Sequence, residues 1–70
     1  MKWTDGTDFN GRLEPGQVWK KGNTVRIIQR FDAQHMYYQN KSDVKNGTVT
    51  KVTRRVFRRW IYSGALPHRN

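Results

Sequence analysis

The sequence of 70 residues contains no cysteine, two histidines, five acidic residues and no long apolar run. Without cysteine, neither a disulfide nor a thiolate metal site can stabilise the fold. His35 and His68 are too few for a zinc site, so we expect no metal and no cofactor. No apolar run approaches the roughly 18 residues of a membrane-spanning helix. The amino terminus lacks the apolar segment of a signal peptide, and we expect a complete gene product located in the cytoplasm.

The shortage of acidic residues also argues against catalysis. The sequence has no Ser-His-Asp set, no paired carboxylates and no glycine-rich phosphate loop. Its five acids fall mostly in turn-forming stretches, where they are poor candidates for general acid–base chemistry. We therefore predict that the protein is not an enzyme.

Positive charge is the feature that the sequence has in excess. Fourteen Lys and Arg residues give a formal net charge of +9. Residues 46–70 carry six of them and no acid, whereas residues 1–45 carry eight with all five acids. A small, strongly basic domain with clustered arginines has the charge of a nucleic-acid-binding protein. The alternative is a solvated basic surface without a ligand.

Turn signals and β propensity predict four strands. Gly22-Asn23 is typical of a tight hairpin turn and separates a strand over 17–20 from one over 24–31. A third strand is predicted over 35–40, followed by a polar loop over 41–47. Residues 48–53 favour a fourth strand. A longer helix beginning at Thr48 is the alternative, because Val49 and Val52 fall on or near the apolar face of the helix that follows.

Alternation along the second strand predicts its two faces. One face carries Val25, Ile27, Gln29 and Phe31, and the other carries Arg26, Ile28 and Arg30. A curled sheet could bury both isoleucines.

The stretch "TRRVFRRWIYSG" predicts an amphipathic helix that begins after Thr53 and ends near Gly64. On a helical wheel the apolar side carries Val56, Phe57, Trp60 and Ile61, and the opposite side carries Arg54, Arg55, Arg58 and Arg59. Two arginine pairs at i, i+4 repel each other, which favours a ligand-binding role for that face.

These elements predict a mainly β fold, a small barrel of four to five antiparallel strands closed by a C-terminal α-helix. We expect a flexible arm over 1–11, in which Trp3 or Phe9 folds back onto the core. The barrel and helix occupy 12–64, and a flexible tail follows over 65–70.

The candidate nucleic-acid-binding residues are the basic side chains of the helix and of the strands. They are Arg54, Arg55, Arg58, Arg59, Arg26, Arg30, Lys20, Lys21 and Lys51. Tyr37 and Tyr38 are candidates for stacking on a base. The alternative for both tyrosines is a place in the core.

Several short motifs also resemble a known group of proteins. Pro15-Gly16-Gln17-Val18-Trp19, then "VRII", "MYY" and the stretch from Phe57 to Trp60, resemble small SH3-like proteins of bacteriophages and prophages. The resemblance covers Leu13 to Ile61. It implies that the predicted barrel of four to five strands is an SH3-like barrel, and it implies no particular activity, since most such proteins have no assigned activity.

A second resemblance concerns the helix alone. "VFRRWIYSGALP" is similar to the helix and exit of phage excisionases and related helix-turn-helix proteins, in which that helix enters the major groove. We therefore expect a phage or prophage regulatory or accessory factor that binds nucleic acid, with DNA favoured and RNA as the alternative. The alternative is an interaction module that binds an acidic host protein.

Overall fold

The computed structural model describes residues 1–69 and is built from strands with two short helices. The elements in chain order are β1 (Val18–Lys21), β2 (Thr24–Phe31), β3 (His35–Gln39), α1 (Lys41–Asn46), β4 (Thr50–Thr53), α2 (Arg54–Tyr62) and β5 (Leu66–His68). Within this range no helix has the length and apolar character needed to cross a membrane.

The strands form one antiparallel sheet in the order β4-β3-β2-β1-β5. The mainly β prediction is confirmed. Two details of the predicted barrel differ, because β4 and β5 are both edge strands in this order and α2 is internal to the chain. After α2 the chain comes back to the sheet, where β5 pairs with β1. The burial of Ala65 and Pro67 holds it there. A strand therefore lies where the sequence predicts a flexible tail, and its edge position tolerates a proline.

The β1–β2 hairpin turns at the predicted dipeptide. Lys21 pairs with Thr24, so Gly22 and Asn23 are the two turn residues. Gly22 has a φ of 57°, and among residues 1–69 only glycines have a positive φ. A positive φ at the first turn position alone is the pattern of a type II′ turn, which requires glycine there.

A β-bulge in β2 corrects the predicted alternation. Ile28 pairs with Tyr38 but Arg30 pairs with Tyr37, so Gln29 is an extra residue in the ladder. The extra residue switches the side on which the following side chains lie. Ile28 faces the core, Arg30 lies on the opposite face of the sheet, and Phe31 packs against the core.

Helix α1 lies where the sequence predicts a polar loop. Its start is a capping box, in which the Asn40 side chain accepts a hydrogen bond from the Asp43 N–H and the Asp43 carboxylate accepts one from the Asn40 N–H. Its end is Gly47 in the left-handed conformation. The helix buries no residue, so it has no apolar periodicity from which it could be predicted, and only its capping box indicates it. For residues 48–53, which could be a strand or the start of a longer helix, the strand prediction is confirmed over Thr50–Thr53.

Helix α2 begins after the predicted N-cap Thr53, whose hydroxyl accepts a hydrogen bond from the Val56 N–H. It packs Phe57 and Ile61 into the core, where Phe57 is fully buried. The core also contains Trp19, Ile28, Met36, Tyr38 and Ala65.

Trp60 is half-buried at the edge of this core, and Val56 is 48% exposed. The helical wheel places Val56 on the apolar side, where it would pack, but the buried side of α2 centres on Phe57 and Ile61 and leaves Val56 largely exposed.

The amino-terminal residues dock on the sheet. Phe9 stacks edge-on against Trp19 with ring centroids 5.4 Å apart, which confirms that one aromatic side chain of the arm reaches the core. Trp3 packs edge-on against Phe9, and the Thr4 N–H donates a hydrogen bond to the carbonyl of Pro67. The arm is therefore tied to both β1 and β5.

The contrast between Phe57 and its neighbour Val56 is testable by mutation. Phe57→Ala should lower the free energy of unfolding by about 3–5 kcal/mol, since it removes a fully buried ring. A domain of this size has only about 5 kcal/mol to lose. Val56→Ala is the control and should change stability by less than about 0.5 kcal/mol. Urea unfolding followed by tryptophan fluorescence measures both, and equal effects would contradict the assigned orientation of α2.

The Asp43 cap predicts acid sensitivity. Hydrogen bonds from the hydroxyls of Thr48 and Thr50, and then from the Asn40 N–H, lower the pKa of Asp43 in the folded state. A lowered pKa stabilises the fold above the unfolded-state value of about 3.9, and the contribution disappears as pH falls through the folded-state value. Asp43→Asn should therefore unfold at lower urea than wild type at about pH 6, and this difference should shrink by about pH 2.5. A gap that stays constant with pH would show that the charge of Asp43 does not stabilise the cap.

Candidate nucleic-acid interface

The outer side of α2 carries the exposed arginines. Arg55, Arg58 and Arg59 are exposed, and none of their side chains makes an ion pair, hydrogen bond or cation–π contact with any residue of the described range 1–69. Arg54 is half-buried. Its guanidinium donates a hydrogen bond to the carbonyl of Asp32 and lies 5.2 Å from the Phe31 ring. The four arginines predicted to act together are thus three free cations and one that is anchored to the β2–β3 turn.

A groove runs between this side of α2 and the β2–β3 turn. It is a shallow, open groove with a volume of about 590 Å³, and we call it the arginine groove. Its lining residues are Ala33, Arg54, Arg55, Arg58, Arg59 and Tyr62. No acidic side chain is among them, so the groove presents a concave surface of one charge. Such a surface attracts polyanions and strengthens the local field.

The charge pattern of α2 is unfavourable for the helix itself. Arg54 and Arg55 stand in the first turn, where the helix dipole favours acidic residues, and that turn contains no acid. Each i, i+4 pair of arginines costs a few tenths of a kcal/mol. Helix α1 has Asp43 in its first turn and Lys45 in its last, whereas in α2 only Arg59, in the last turn, suits the helix dipole. Arg54 and Arg55 therefore do not serve the stability of their own helix.

Arg26 lies on the same side of the sheet as α2 but does not join the exposed arginines. Its guanidinium carbon lies 4.5 Å from the centroid of the Tyr38 ring and 4.3 Å from that of Trp60. The group is therefore held between two aromatic rings at the edge of the core. No described carboxylate pairs with it. Arg26 is part of the packing between β2 and α2, whereas the exposed arginines of α2 have no such contact.

The two lysines of the first hairpin are divided between surfaces. Lys21 donates a hydrogen bond of 2.7 Å to the hydroxyl of Ser63, just beyond the end of α2. This contact places one more cation near the carboxyl end of α2. Lys20 is half-buried and alternates with the buried Trp19, so it lies on the opposite face of the sheet.

Arg30, Tyr37 and Lys51 form a second basic surface, on the sheet face away from α2. The Arg30 guanidinium lies 4.3 Å and the Lys51 ammonium 5.8 Å from the Tyr37 ring centroid. They line a groove of about 450 Å³ with Gln29 and Val49. Tyr37 is half-buried beneath its two cations. The structure therefore separates the predicted site residues into two surfaces instead of one continuous patch.

The tyrosines reverse part of the sequence-based expectation. Tyr38 is only 5% exposed and packs against Phe57, so its alternative place in the core is the correct one. Tyr62 was not among the predicted residues, yet it is 79% exposed on the last turn of α2 and lines the arginine groove. A helical wheel could have found it, because Tyr62 follows Arg58 by four residues and shares its side of the helix.

Aromatic stacking distinguishes the arginines from one another. The sequence contains eight arginines. Four of them place a guanidinium over an aromatic ring, namely Arg26, Arg30, Arg54 and Arg69. Three of the remaining four are Arg55, Arg58 and Arg59. The arginines without a ring partner are thus concentrated on one side of α2.

Three aspartates have a lowered pKa, and each stabilises a turn. Hydrogen bonds from the Thr7 hydroxyl and N–H lower the pKa of Asp5, and the N–H groups of Gln34 and His35 lower that of Asp32. Asp43 caps α1, as described above. Residues 1–69 contain no group of three potential metal ligands.

Comparisons with protein-family models, with curated proteins and with solved structures find no match. Function is therefore inferred from the geometry and charge of these side chains alone.

The packing role of Arg26 can be separated from the effect of net charge. Arg26→Ala should lower the free energy of unfolding by about 1–2 kcal/mol, because it removes a cation held between two rings. Arg55→Ala removes the same charge from an exposed position and should change stability by less than about 0.5 kcal/mol. Thermal unfolding of both variants measures the difference. Equal melting temperatures would show that the aromatic contacts of Arg26 contribute nothing.

Proposed function

We propose that this protein is a non-enzymatic nucleic-acid-binding protein that binds the phosphate backbone in the arginine groove of α2. The observation that carries the proposal is the concentration of three unpartnered arginines, Arg55, Arg58 and Arg59, on one side of a nine-residue helix. Unpaired guanidinium groups keep all of their donors available for phosphate oxygens, which they bind in a bidentate manner.

The internal balance of charges supports the same proposal. Within the described residues, ion pairs engage Lys2 with Asp8 and Arg69 with Asp5, both away from α2. The Asp32 carboxylate accepts hydrogen bonds from the N–H groups of Gln34 and His35 within the β2–β3 turn. No described carboxylate forms an ion pair with an arginine of α2, so the positive charge of the helix is uncompensated. A polyanion that neutralises this surface would relieve the repulsion within the helix. DNA is the partner that we propose first, with RNA as the alternative.

We also propose that the sheet and α2 form an SH3-like barrel of the kind found in phage and prophage regulatory or accessory factors. The meander from β1 to β4, the short helix that follows and the return of β5 to β1 support this proposal.

A second candidate function is the binding of an acidic host protein. It is favoured by the exposure of Val56, an apolar side chain on the same helix as the free arginines. Apolar contacts beside charged ones are typical of protein interfaces. Stoichiometric capture of one acidic protein, with no binding to nucleic acid, would support this function over the first.

The salt dependence of binding tests the proposed interface. Arg55→Ala combined with Arg59→Ala should weaken binding to a random duplex and flatten the slope of log K against log salt by about 1–2, since each phosphate contact contributes about 0.9. Both side chains point away from the core, so the variant should fold. Fluorescence anisotropy over a series of salt concentrations measures the slope.

The matched control lies on the opposite face of the sheet. Arg30→Ala combined with Lys51→Ala also removes two positive charges, but from the surface around Tyr37. It should change the slope by less than the α2 variant does. If both double variants flatten the slope equally, binding follows net charge and α2 is not the interface. If wild type shows no salt-dependent binding to any nucleic acid, the proposed function is wrong.

A further inference from the structure

Tyr62 is the feature of α2 that phosphate binding does not explain. It is 79% exposed, the highest value among the exposed large apolar side chains. Its side chain makes no hydrogen bond or ring contact with the described part of the chain. Tyr62 therefore contributes little to the core, and its ring is available to a ligand.

A second groove borders Tyr62 on the side away from the arginine groove. It encloses about 280 Å³ between the amino-terminal arm and α2, and we call it the apolar groove. Met1, Phe9, Leu13, Trp19 and Ile61 supply most of its walls. Arg58 and Tyr62 line both grooves, so the two grooves meet along this pair of side chains. No acidic residue lines either groove.

This arrangement places two different chemistries side by side. On one side of Tyr62 lie the free guanidinium groups of Arg55 and Arg59, which suit phosphates. On the other side lies an apolar slot, which suits the flat face of a base. A strand with unpaired bases presents both features together, because its phosphates and its bases point in different directions. In a duplex the bases are already stacked and paired, so they cannot enter the slot without being unpaired.

We propose that α2 binds a single-stranded segment of nucleic acid, with the backbone in the arginine groove and an unpaired base stacked on Tyr62 at the mouth of the apolar groove. This inference rests on the proposed function, since it assumes that α2 binds nucleic acid. Stacking on an exposed aromatic ring beside a basic groove is the general mode by which proteins bind single strands without sequence preference. Arg58 lies between the two grooves and contacts the phosphate next to the stacked base.

The test compares a single strand with a blunt duplex of two complementary strands and equal phosphate number. Tyr62→Ala should weaken binding to an oligothymidylate by about ten-fold, which lies within the range expected for stacking one base on an aromatic ring. Binding to the blunt duplex should change by less than two-fold, and the salt slope should stay the same. Tyr62→Phe keeps the ring and should bind the single strand as wild type does.

Two controls separate stacking from other effects. Val56→Ala removes an exposed apolar side chain from the same helix but from neither groove, and it should leave both affinities unchanged. Polyglutamate supplies negative charge without bases, so Tyr62→Ala should not alter its binding. Circular dichroism checks that each variant is folded.

The inference fails if Tyr62→Ala binds the oligothymidylate as tightly as wild type. It also fails if the variant loses affinity equally for the single strand, the duplex and polyglutamate. If wild type binds the duplex with the expected salt slope and Tyr62→Ala has no effect, the proposed function stands and only the stacking role is overturned. If wild type binds none of the nucleic acids, both are overturned.

Discussion

The burial of Phe57 and Ile61 determines how α2 is oriented about its axis, and the surface of the protein follows from that orientation. These two side chains are the only buried residues of the helix. Because they must face the sheet, Arg54 is turned toward the β2–β3 turn, where it bonds to the carbonyl of Asp32. Arg55, Arg59 and Tyr62 are turned toward solvent. The same orientation brings Trp60 over Arg26.

Tertiary packing, rather than its own sequence, stabilises α2. Its first turn places two arginines against the helix dipole, and its arginine pairs repel each other by a few tenths of a kcal/mol. Burying Phe57 alone contributes about 2–3 kcal/mol, which outweighs these terms. The outer side of the helix can therefore hold a repulsive cluster without unfolding. A short helix with such a charged face persists only where one side is tied to a core.

Elements with strong periodicity could be predicted from the sequence, and elements specified by single contacts could not. The strand over 24–31 and helix α2 have clear apolar patterns, and the structure has them at the predicted positions. Helix α1 has no apolar side, and its signal lies in the Asn40–Asp43 capping box. Strand β5 is three residues long and includes a proline, so local propensity argues against it. The bulge at Gln29 depends on the register with β3, which no local pattern reveals.

The same distinction applies to the candidate site. Arg55, Arg58 and Arg59 follow from helical periodicity, and they are exposed as predicted. The assignment of Arg26 depends on Tyr38 and Trp60, which lie 12 and 34 residues away in the sequence and meet only in the fold. Tyr62 shares a side of the helix with Arg58, but an aromatic residue at the end of an amphipathic helix could equally pack on the core, so its exposure becomes visible only in the fold.

The arginines discussed above fall into two groups, those that contact an aromatic ring and those that contact no other side chain of the described residues. Guanidinium groups that lie over rings connect distant parts of the fold: Arg26 joins β2 to α2, Arg54 joins α2 to the β2–β3 turn, and Arg69 joins the carboxyl end to Trp3. Each exchanges part of its hydration for an aromatic face, so each is committed to structure. Arg55, Arg58 and Arg59 remain hydrated, and their side chains are tied to no other part of the described chain. A phosphate group that binds them displaces only water and counterions, whereas a ligand for Arg26 would have to break the contact between β2 and α2. The availability of its arginines therefore makes the outer side of α2 the surface best suited to a polyanion.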